Sequence, residues 1–458
     1  MISTTTLARE FPWRWIMWWL LLPNLTFMLM WGVGGPPMTP IIARGAIASL
    51  VIAQLPWRTP KRIALAGMML WALYYYVCAM FNIPPSQLDF VLPFLREVRP
   101  LRSPEYLIAA ILFAASLFLV LRFAPRVPRF PSILSYGFAM LAIMGLLAAD
   151  VAATRSTRGS YRAAPPEGTQ FTSAVQQAGL EMPREGNRHL VIVVVEALGV
   201  PSGHPEQQLF NDAWNRVHWS ARYQVRSGRI PFFGSTTSGE LRELCGRFDS
   251  YTRAAAFGTE CLPARYRQQG YQTSAIHGFT PALFNRDDWY GDIGFSDAMF
   301  RDDLMDRGLS HCIGVFAGAC DREVPALIAA RLKSATRPQL VYFLTLNTHL
   351  PIMADEGLRT TECELGGSGW SALYPQVCRL YLMHQHLADE IDRLAMDPDL
   401  PPTDFLIVGD HLPPFFDRRD RSRFDGGSVP WVLLRSRAPG REVASLASSD
   451  SAGAANLR

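Results

Sequence analysis

Three apolar runs of this chain end in residue types that bind divalent cations. The run 191–195 is followed by Glu196, the run 404–408 by Gly409-Asp410-His411, and the run 340–346 by Asn347-Thr348-His349. Carboxylate oxygens and imidazole nitrogens together form the ligand set of a divalent cation. One Asp-His after a strand is ordinarily a turn Asp beside a solvated His; three such ends gathered at one edge make a metal site the better reading. A hydroxyl-rich stretch, Gly234-Ser235-Thr236-Thr237-Ser238-Gly239-Glu240, follows Pro231. It reads as a loop capping a helix, with Glu240 closing a capping box. It reads equally as a nucleophile, because a cation makes a nearby hydroxyl more acidic and a helix N-terminus favours phosphate oxygens.

These groups meet only if the elements beneath them run side by side. Strand-like runs occupy 189–195, 272–276, 340–346, 404–408 and 429–434, separated by helical patterns at 262–269, 324–334 and 374–395. Continuous apolar strands alternating with helices imply an α/β domain whose mostly parallel sheet is covered by helices on both faces. Ligands of such sheets bind just beyond the C-terminal strand ends, where the candidate residues stand. His384 and His386 flank Gln385 on a helical stretch and imitate a metal pair. Positions two apart on a helix point about 200° apart, so they read as packing or surface residues.

The chain has 458 residues, 49% hydrophobic and 18% charged. Typical soluble domains are about 25% charged. Disorder, collagen and coiled coil are excluded, and a wholly soluble chain is disfavoured. The mean hydropathy of +0.07 averages two unlike halves. Residues 1–150 hold 12 Lys+Arg against 5 Asp+Glu, whereas 151–458 hold 32 against 35. All nine histidines and six of seven cysteines fall in the second half. The basic pI of about 8.7 thus belongs to the apolar half and does not point to nucleic acid.

Stretches 13–34, 63–83, 106–123 and 133–151 are long and apolar enough to cross a bilayer, and 40–55 is a shorter fifth that carries Arg44. Arg9 and Arg14 precede the first; Arg58, Lys61 and Arg62 follow the second; Arg122, Arg126 and Arg129 follow the fourth. The loop 35–39 is uncharged, and the loop after the third span mixes Asp89 and Glu97 with Arg96, Arg99 and Arg102. The positive-inside rule then gives five spans, a cytoplasmic N-terminus and an external second half. A cleaved signal peptide is the rival reading of 13–34, which is too long and aromatic for one. The expected domains are a transmembrane domain 1–151, a linker 152–186 rich in Arg, Ser, Gly and Pro, an extracytoplasmic domain 187–440, and a C-terminal tail 441–458. Six cysteines fall into sequence-local couples, 245 with 261, 312 with 320 and 363 with 378, although six allow fifteen pairings. Disulfides suit an oxidising exterior. Zinc ligation is the alternative, without any CxxC pair to support it.

Asp410-His411 and Glu196 after strands, with a hydroxyl between them, resemble the alkaline phosphatase/sulfatase superfamily. The motif order is similar to its membrane-anchored branch, the lipoteichoic acid synthase-like phosphoglycerol transferases and the phosphoethanolamine transferases, which join about five spans to one external catalytic domain. Thr236 stands four residues before Glu240, eight before Leu244 and ten before Gly246, as in the family's T-x-x-x-E-x-x-x-L-x-G. The resemblance makes Thr236 the nucleophile, with Thr237 as neighbouring alternative, and Glu196, Asp410, His411 and Thr236 the ligands of one divalent metal ion, Zn²⁺ or Mn²⁺. His277, Phe284, Asn285 and Arg286 resemble the segment that contacts the head group, and His349 the histidine beside the transferred phosphate. The signature C-x-P-x-R of sulfatases is absent, the Trp usual before Asn-Arg is replaced by Phe284, and no further His follows Asp410-His411.

The resemblance implies transfer of a phospholipid-derived phosphoalcohol head group, glycerol phosphate slightly favoured over phosphoethanolamine, through a phosphothreonine intermediate. The donor is a membrane phospholipid and the acceptor a polysaccharide or glycolipid of the cell envelope. The expected setting is a bacterial inner membrane with the catalytic domain periplasmic, with an envelope polysaccharide synthesis complex as a further partner. Alternatives are a phosphodiester or phosphate-ester hydrolase of the same superfamily, and a catalytically inactive polysaccharide-assembly partner.

Overall fold

A computed structural model describes residues 10–155, 157, 161, 165–183 and 188–438. Arg9, the tail 441–458 and parts of the linker lie outside the described residues.

The membrane-side half begins with helical pieces Trp13–Trp15, a π-helical turn Ile16–Leu21, and α1 (Leu22–Met30). Pro23, near the start of α1, lacks an N–H and crowds the preceding turn, which is where a π turn relieves a helix. α2 (Thr39–Ile52), α3 (Arg58–Phe81), α4 (Pro104–Phe123) and α5 (Ile133–Ala153) follow. The last three are long and apolar enough to cross a membrane, whereas α2 has 14 residues. The expectation of five spans therefore meets, among the described residues, three helices of spanning length, one short helix and one interrupted run.

The second half is built on a sheet of seven strands: β1 (His189–Val195), β2 (Tyr223–Pro231), β3 (Gln272–His277), β4 (Asp297–Met299), β7 (Gln339–Leu344), β8 (Thr403–Gly409) and β9 (Ser428–Ser436). A small antiparallel pair, β5 (His311–Cys312) and β6 (Gly318–Ala319), stands apart. The order is β2-β9-β8-β1-β7-β3-β4. β8, β1, β7, β3 and β4 run parallel, while β9 and β2 are antiparallel additions at one edge. The sheet is mostly parallel, as expected, with β9 reversed.

Every residue of β1 is buried. Its Leu190, Ile192 and Val194 pack into one layer with Leu241 and Leu262, and its Val191, Val193 and Val195 into the other with Leu387 and Ile328. Alternate side chains of a strand point to opposite faces, so an unbroken apolar run requires cover on both. Helices α7 (Thr236–Cys245) and α8 (Leu262–Gln268) cover the first face; α6 (His204–Trp214), α9 (Val324–Ser334) and α10 (Pro375–Met396) cover the second. Each large aliphatic side chain so buried contributes roughly 1.5–3 kcal/mol. The disulfides are Cys245–Cys261, Cys312–Cys320 and Cys363–Cys378, the sequence-local pairing, and Cys78 is a buried free thiol.

β1 lies between β8 and β7, and the chain passes to opposite sides of it. That is the topological switch point at which open α/β sheets bind ligands. The α/β domain seats this edge against the membrane helices. Arg421 donates to the carbonyls of Gly34 (3.0 Å) and Val33 (3.3 Å), Arg418 to that of Trp31 (2.7 Å), and Arg301 pairs with Glu97 (2.5 Å).

Candidate active site

β1 runs directly into Glu196, β8 into Asp410-His411, and α7 begins at Thr236. Two glycines let these ends converge. A Cβ at Gly409 would collide with the Leu198 carbonyl oxygen, and one at Gly239 would sit 3.1 Å from Asp410 Cα. Arg242, fully buried on α7, donates to the carbonyls of Gly409 (2.7 Å) and Asp410 (3.1 Å), fastening the helix to the strand end.

Thr236 Oγ1 donates to Glu196 Oε2 at 2.9 Å and lies 3.3 Å from His411 Nε2. His411 Nε2 is 3.2 Å from both Glu196 Oε1 and Asp410 Oδ2. Asp410 Oδ1 accepts from the backbone N–H groups of Ala197 (2.9 Å) and His411 (2.7 Å), which fixes its carboxylate. Glu196, Asp410 and His411 each present a ligand atom within 4.8 Å of the others.

This donor set fits a divalent cation. Glu196 Oε1 and Asp410 Oδ2 are buried without a hydrogen bond of ordinary geometry. His411 Nδ1 stands 3.0 Å from the Leu412 carbonyl; donating there leaves the Nε2 lone pair facing the carboxylates. Burial alone would lower the His411 pKa, but the Asp410 and Glu196 carboxylates override it and lift it to about 10. Burial and the neighbouring Glu196 charge push Asp410 well above the ordinary range. Glu196 resists its own burial and is held low by His411 and His349. Without a cation the two crowded buried carboxylates draw a proton onto His411; a cation among them would supply that positive charge instead and leave Nε2 its lone pair.

A cavity extends from this cluster toward the membrane helices. Thr236, Glu196 and His411 form its floor; His277, His349 and Arg286 stand on its walls; Met80 and Phe81 of α3 close its far side. His277 Nδ1 contacts the Leu344 carbonyl at 3.0 Å, and burial with the nearby Arg286 charge depresses its pKa to about 3. His349 Nδ1 contacts the Leu350 carbonyl at 2.8 Å, and burial lowers its pKa also. Both are therefore neutral near pH 7, each with Nε2 free of that backbone contact.

Of the residues expected on the head group, Phe284 lines the cavity. Asn285 does not: its side-chain amide donates to Asp89 Oδ2 at 3.4 Å on the exposed side. Arg286 is buried and its fork is committed to Glu240, with Nη2–Oε2 at 2.7 Å and Nε–Oε2 at 3.2 Å. Tyr290 (2.5 Å) and Tyr342 (3.2 Å) donate to the other Glu240 oxygen. The motif glutamate and the motif arginine thus hold each other. Thr237 is buried and is not among the cavity-lining residues. His384 packs between Trp214 and Tyr381 and is not one of the three clustered ligand residues.

Other residues at the site had no local signal. Tyr106, Tyr161 and Arg421 line the membrane-side wall. Asp321 Oδ2 accepts from the backbone N–H groups of Leu346 (2.8 Å) and Asn347 (2.6 Å), shaping the turn that carries His349. Each comes from a segment remote in sequence, so only the folded topology brings it here.

Residues 233–443 match the sulfatase family, a segment that contains Thr236, Asp410 and His411 and starts after Glu196. Among solved structures the chain is similar to the lipoteichoic acid synthase LtaP from Listeria monocytogenes, at 16% identity and TM-score 0.44 over 60% of this chain and 71% of that one. It is similar to the phosphoglycerol transferase GacH of Streptococcus pyogenes, solved with sn-glycerol-1-phosphate, at 16% identity and TM-score 0.38 over 57% and 72%. It is also similar to the integral membrane lipooligosaccharide phosphoethanolamine transferase A from Neisseria meningitidis, at 13% identity and TM-score 0.46 over 86% and 81%. No curated protein sequence matches the chain.

Proposed function

We propose, from the sulfatase-family match over residues 233–443, that this chain transfers a phosphoalcohol head group from a membrane phospholipid to an envelope polysaccharide or glycolipid. The observation that carries the reading is the Thr236 hydroxyl, 2.9 Å from Glu196 and 3.3 Å from His411 at the start of a ten-residue helix. A hydroxyl so placed meets phosphate oxygens with the positive end of the helix.

Glu196, Asp410, His411 and Thr236 would hold one divalent cation, Zn²⁺ or Mn²⁺, which supplies charge neutralisation on the phosphoryl oxygens and a more acidic hydroxyl. Thr236 Oγ1 forms the bond to phosphorus as the bond to the diacylglycerol oxygen breaks. The threonine proton leaves along the hydrogen bond to Glu196 and ends on the departing diacylglycerol. The acceptor hydroxyl then gives its proton to neutral His349 and attacks phosphorus, and Thr236 leaves and regains a proton. His349 suits this step because its depressed pKa keeps it a free base.

Among the cavity-lining residues Glu196 is the single carboxylate, and it belongs to the cation cluster. An ethanolammonium would find no free counter-charge there, whereas glycerol needs none, which favours glycerol phosphate. Met80 and Phe81 of a membrane helix in the cavity wall suit a donor that rises from the bilayer. The reading places the α/β domain on the outer face of a bacterial inner membrane, carried by five spans.

Incubating the full-length protein with phosphatidylglycerol or phosphatidylethanolamine and measuring its intact mass tests this. A glycerophosphoryl adduct that maps to Thr236 and disappears on adding acceptor is expected. An unmodified protein that releases free glycerol phosphate at full rate in the Thr236→Ala variant would overturn it.

A further inference from the structure

Arg44 carries the single charge of α2 (Thr39–Ile52), a helix otherwise apolar apart from Thr39 and Ser49. The side chain is exposed, and no described residue pairs with it. The five acids of residues 1–150 are engaged elsewhere. Glu10 accepts from Ser132 and Ser135, Asp89 from Asn285, Glu97 from Arg301, Glu105 from Ser103, and Asp150 from Trp31 and Thr39. A guanidinium at membrane depth is costly without a counter-charge, and the phosphate of a lipid would supply one.

Arg44 borders a groove of ≈ 240 Å³ between the first helical run, α2 and α3, whose lining includes Trp19, Asn24, Gly45, Met68 and Trp71. Arg44 lies nearer the end of α2 that faces the α/β domain. α2 begins just after the loop whose Val33 and Gly34 carbonyls are held by Arg421, and Arg44 lies five residues, about 7.5 Å, below that start. α2 is also short. Its 14 residues span about 21 Å, against a hydrocarbon core of about 30 Å. A short helix draws the head-group plane inward, bringing lipid phosphates toward Arg44.

We propose that this groove binds one glycerophospholipid of that leaflet, its phosphate paired with Arg44 and its chains lying along Leu65, Met68 and Trp71. The planar guanidinium fork matches phosphate oxygens, and desolvation at this depth strengthens the pair. The site is separate from the catalytic cavity, which touches α3 at Met80 and Phe81. Trp71 precedes Phe81 by ten residues and so lies about 15 Å deeper.

The test is native mass spectrometry of the full-length protein in detergent, titrated with phosphatidylglycerol, on a Thr236→Ala background so that covalent capture does not contribute. Arg44→Gln is expected to bind the lipid roughly tenfold more weakly, with Arg44→Lys intermediate. Gly45→Leu, which fills the groove and leaves the charge in place, is expected to lose the same lipid; a Cβ there meets only Met68 Cε at 3.6 Å. Wild-type affinity in Arg44→Gln overturns the site. If Arg44→Gln does not purify folded, wild-type affinity in Gly45→Leu overturns it equally.

Discussion

Ser235, the residue before the nucleophile candidate, donates its hydroxyl to the Phe81 carbonyl at the end of membrane helix α3, at 3.1 Å. The start of α7 is thereby pinned to the membrane domain, and Phe81 forms part of the cavity wall. Removing the hydroxyl costs about 1 kcal/mol of a net hydrogen bond and frees a partly buried carbonyl. Ser235→Ala is expected to slow adduct formation from phosphatidylglycerol by roughly tenfold while leaving the far-UV spectrum unchanged. An unaltered rate would show that the pin does not position Thr236.

Thr236 and Thr237 are adjacent, yet only the first faces the carboxylates. Thr236→Ala is expected to lower transfer by at least about 10³, the scale seen when a covalent nucleophile is deleted. Thr236→Ser keeps an oxygen in place and should retain measurable activity. Thr237→Ser should transfer at nearly the wild-type rate. A reversed order in initial-rate assays would move the nucleophile by one position.

Asp321 gives a pH dependence with a definite sign. Burial raises its pKa from 3.8 to about 7 in the folded state, even though the N–H groups of Asn347 and Leu346 work against the shift. The folded protein therefore binds a proton that the unfolded chain releases above about pH 4. Stability from this group is full below that pH, declines as pH rises toward 7, and is lost beyond it. At about 1.4 kcal/mol per unit, the loss by pH 8 reaches roughly 4 kcal/mol. Asp321→Asn, whose amide oxygen can still accept from residues 346 and 347, should flatten melting temperature against pH between 5 and 8. A slope equal to wild type would exclude Asp321 as its source.

The strand-end residues were legible because β1, β7 and β8 are unbroken apolar runs, and a parallel sheet delivers whatever follows such runs to one edge. β2 was not legible. Its middle, Arg226-Ser227-Gly228-Arg229, shows no apolar alternation, and it forms because β9 offers an edge to pair with. The reversal of β9 is likewise a matter of connection and not of composition. The interruption of the first membrane run had a visible residue in Pro23, although nothing in the apolar pattern marks the π turn Ile16–Leu21 before it. Ser235 and Arg421 gain their roles only when the two halves of the chain dock. Arg286 was recognisable as part of a motif, while its partner Glu240 is set by how the helix Arg286–Asp292 sits against α7.

That last pair separates two roles for Arg286. Its Nη2 is 2.7 Å from Glu240 Oε2, with both side chains almost wholly buried. Removing one member strands the other as an uncompensated buried charge, at a cost of about 3–5 kcal/mol. Arg286→Met is therefore expected to lower the melting temperature sharply, and Glu240→Gln to do so less, because the amide still accepts from Tyr290 and Tyr342. Combining them removes both charges and should recover part of the loss, since buried pairs replaced together by uncharged groups are often near neutral. Thermal unfolding of the two single variants and the double variant closes the cycle. If the double variant regains stability but still forms no adduct, Arg286 also touches the head group; if it regains both, Arg286 acts by holding α7 and the nucleophile in place.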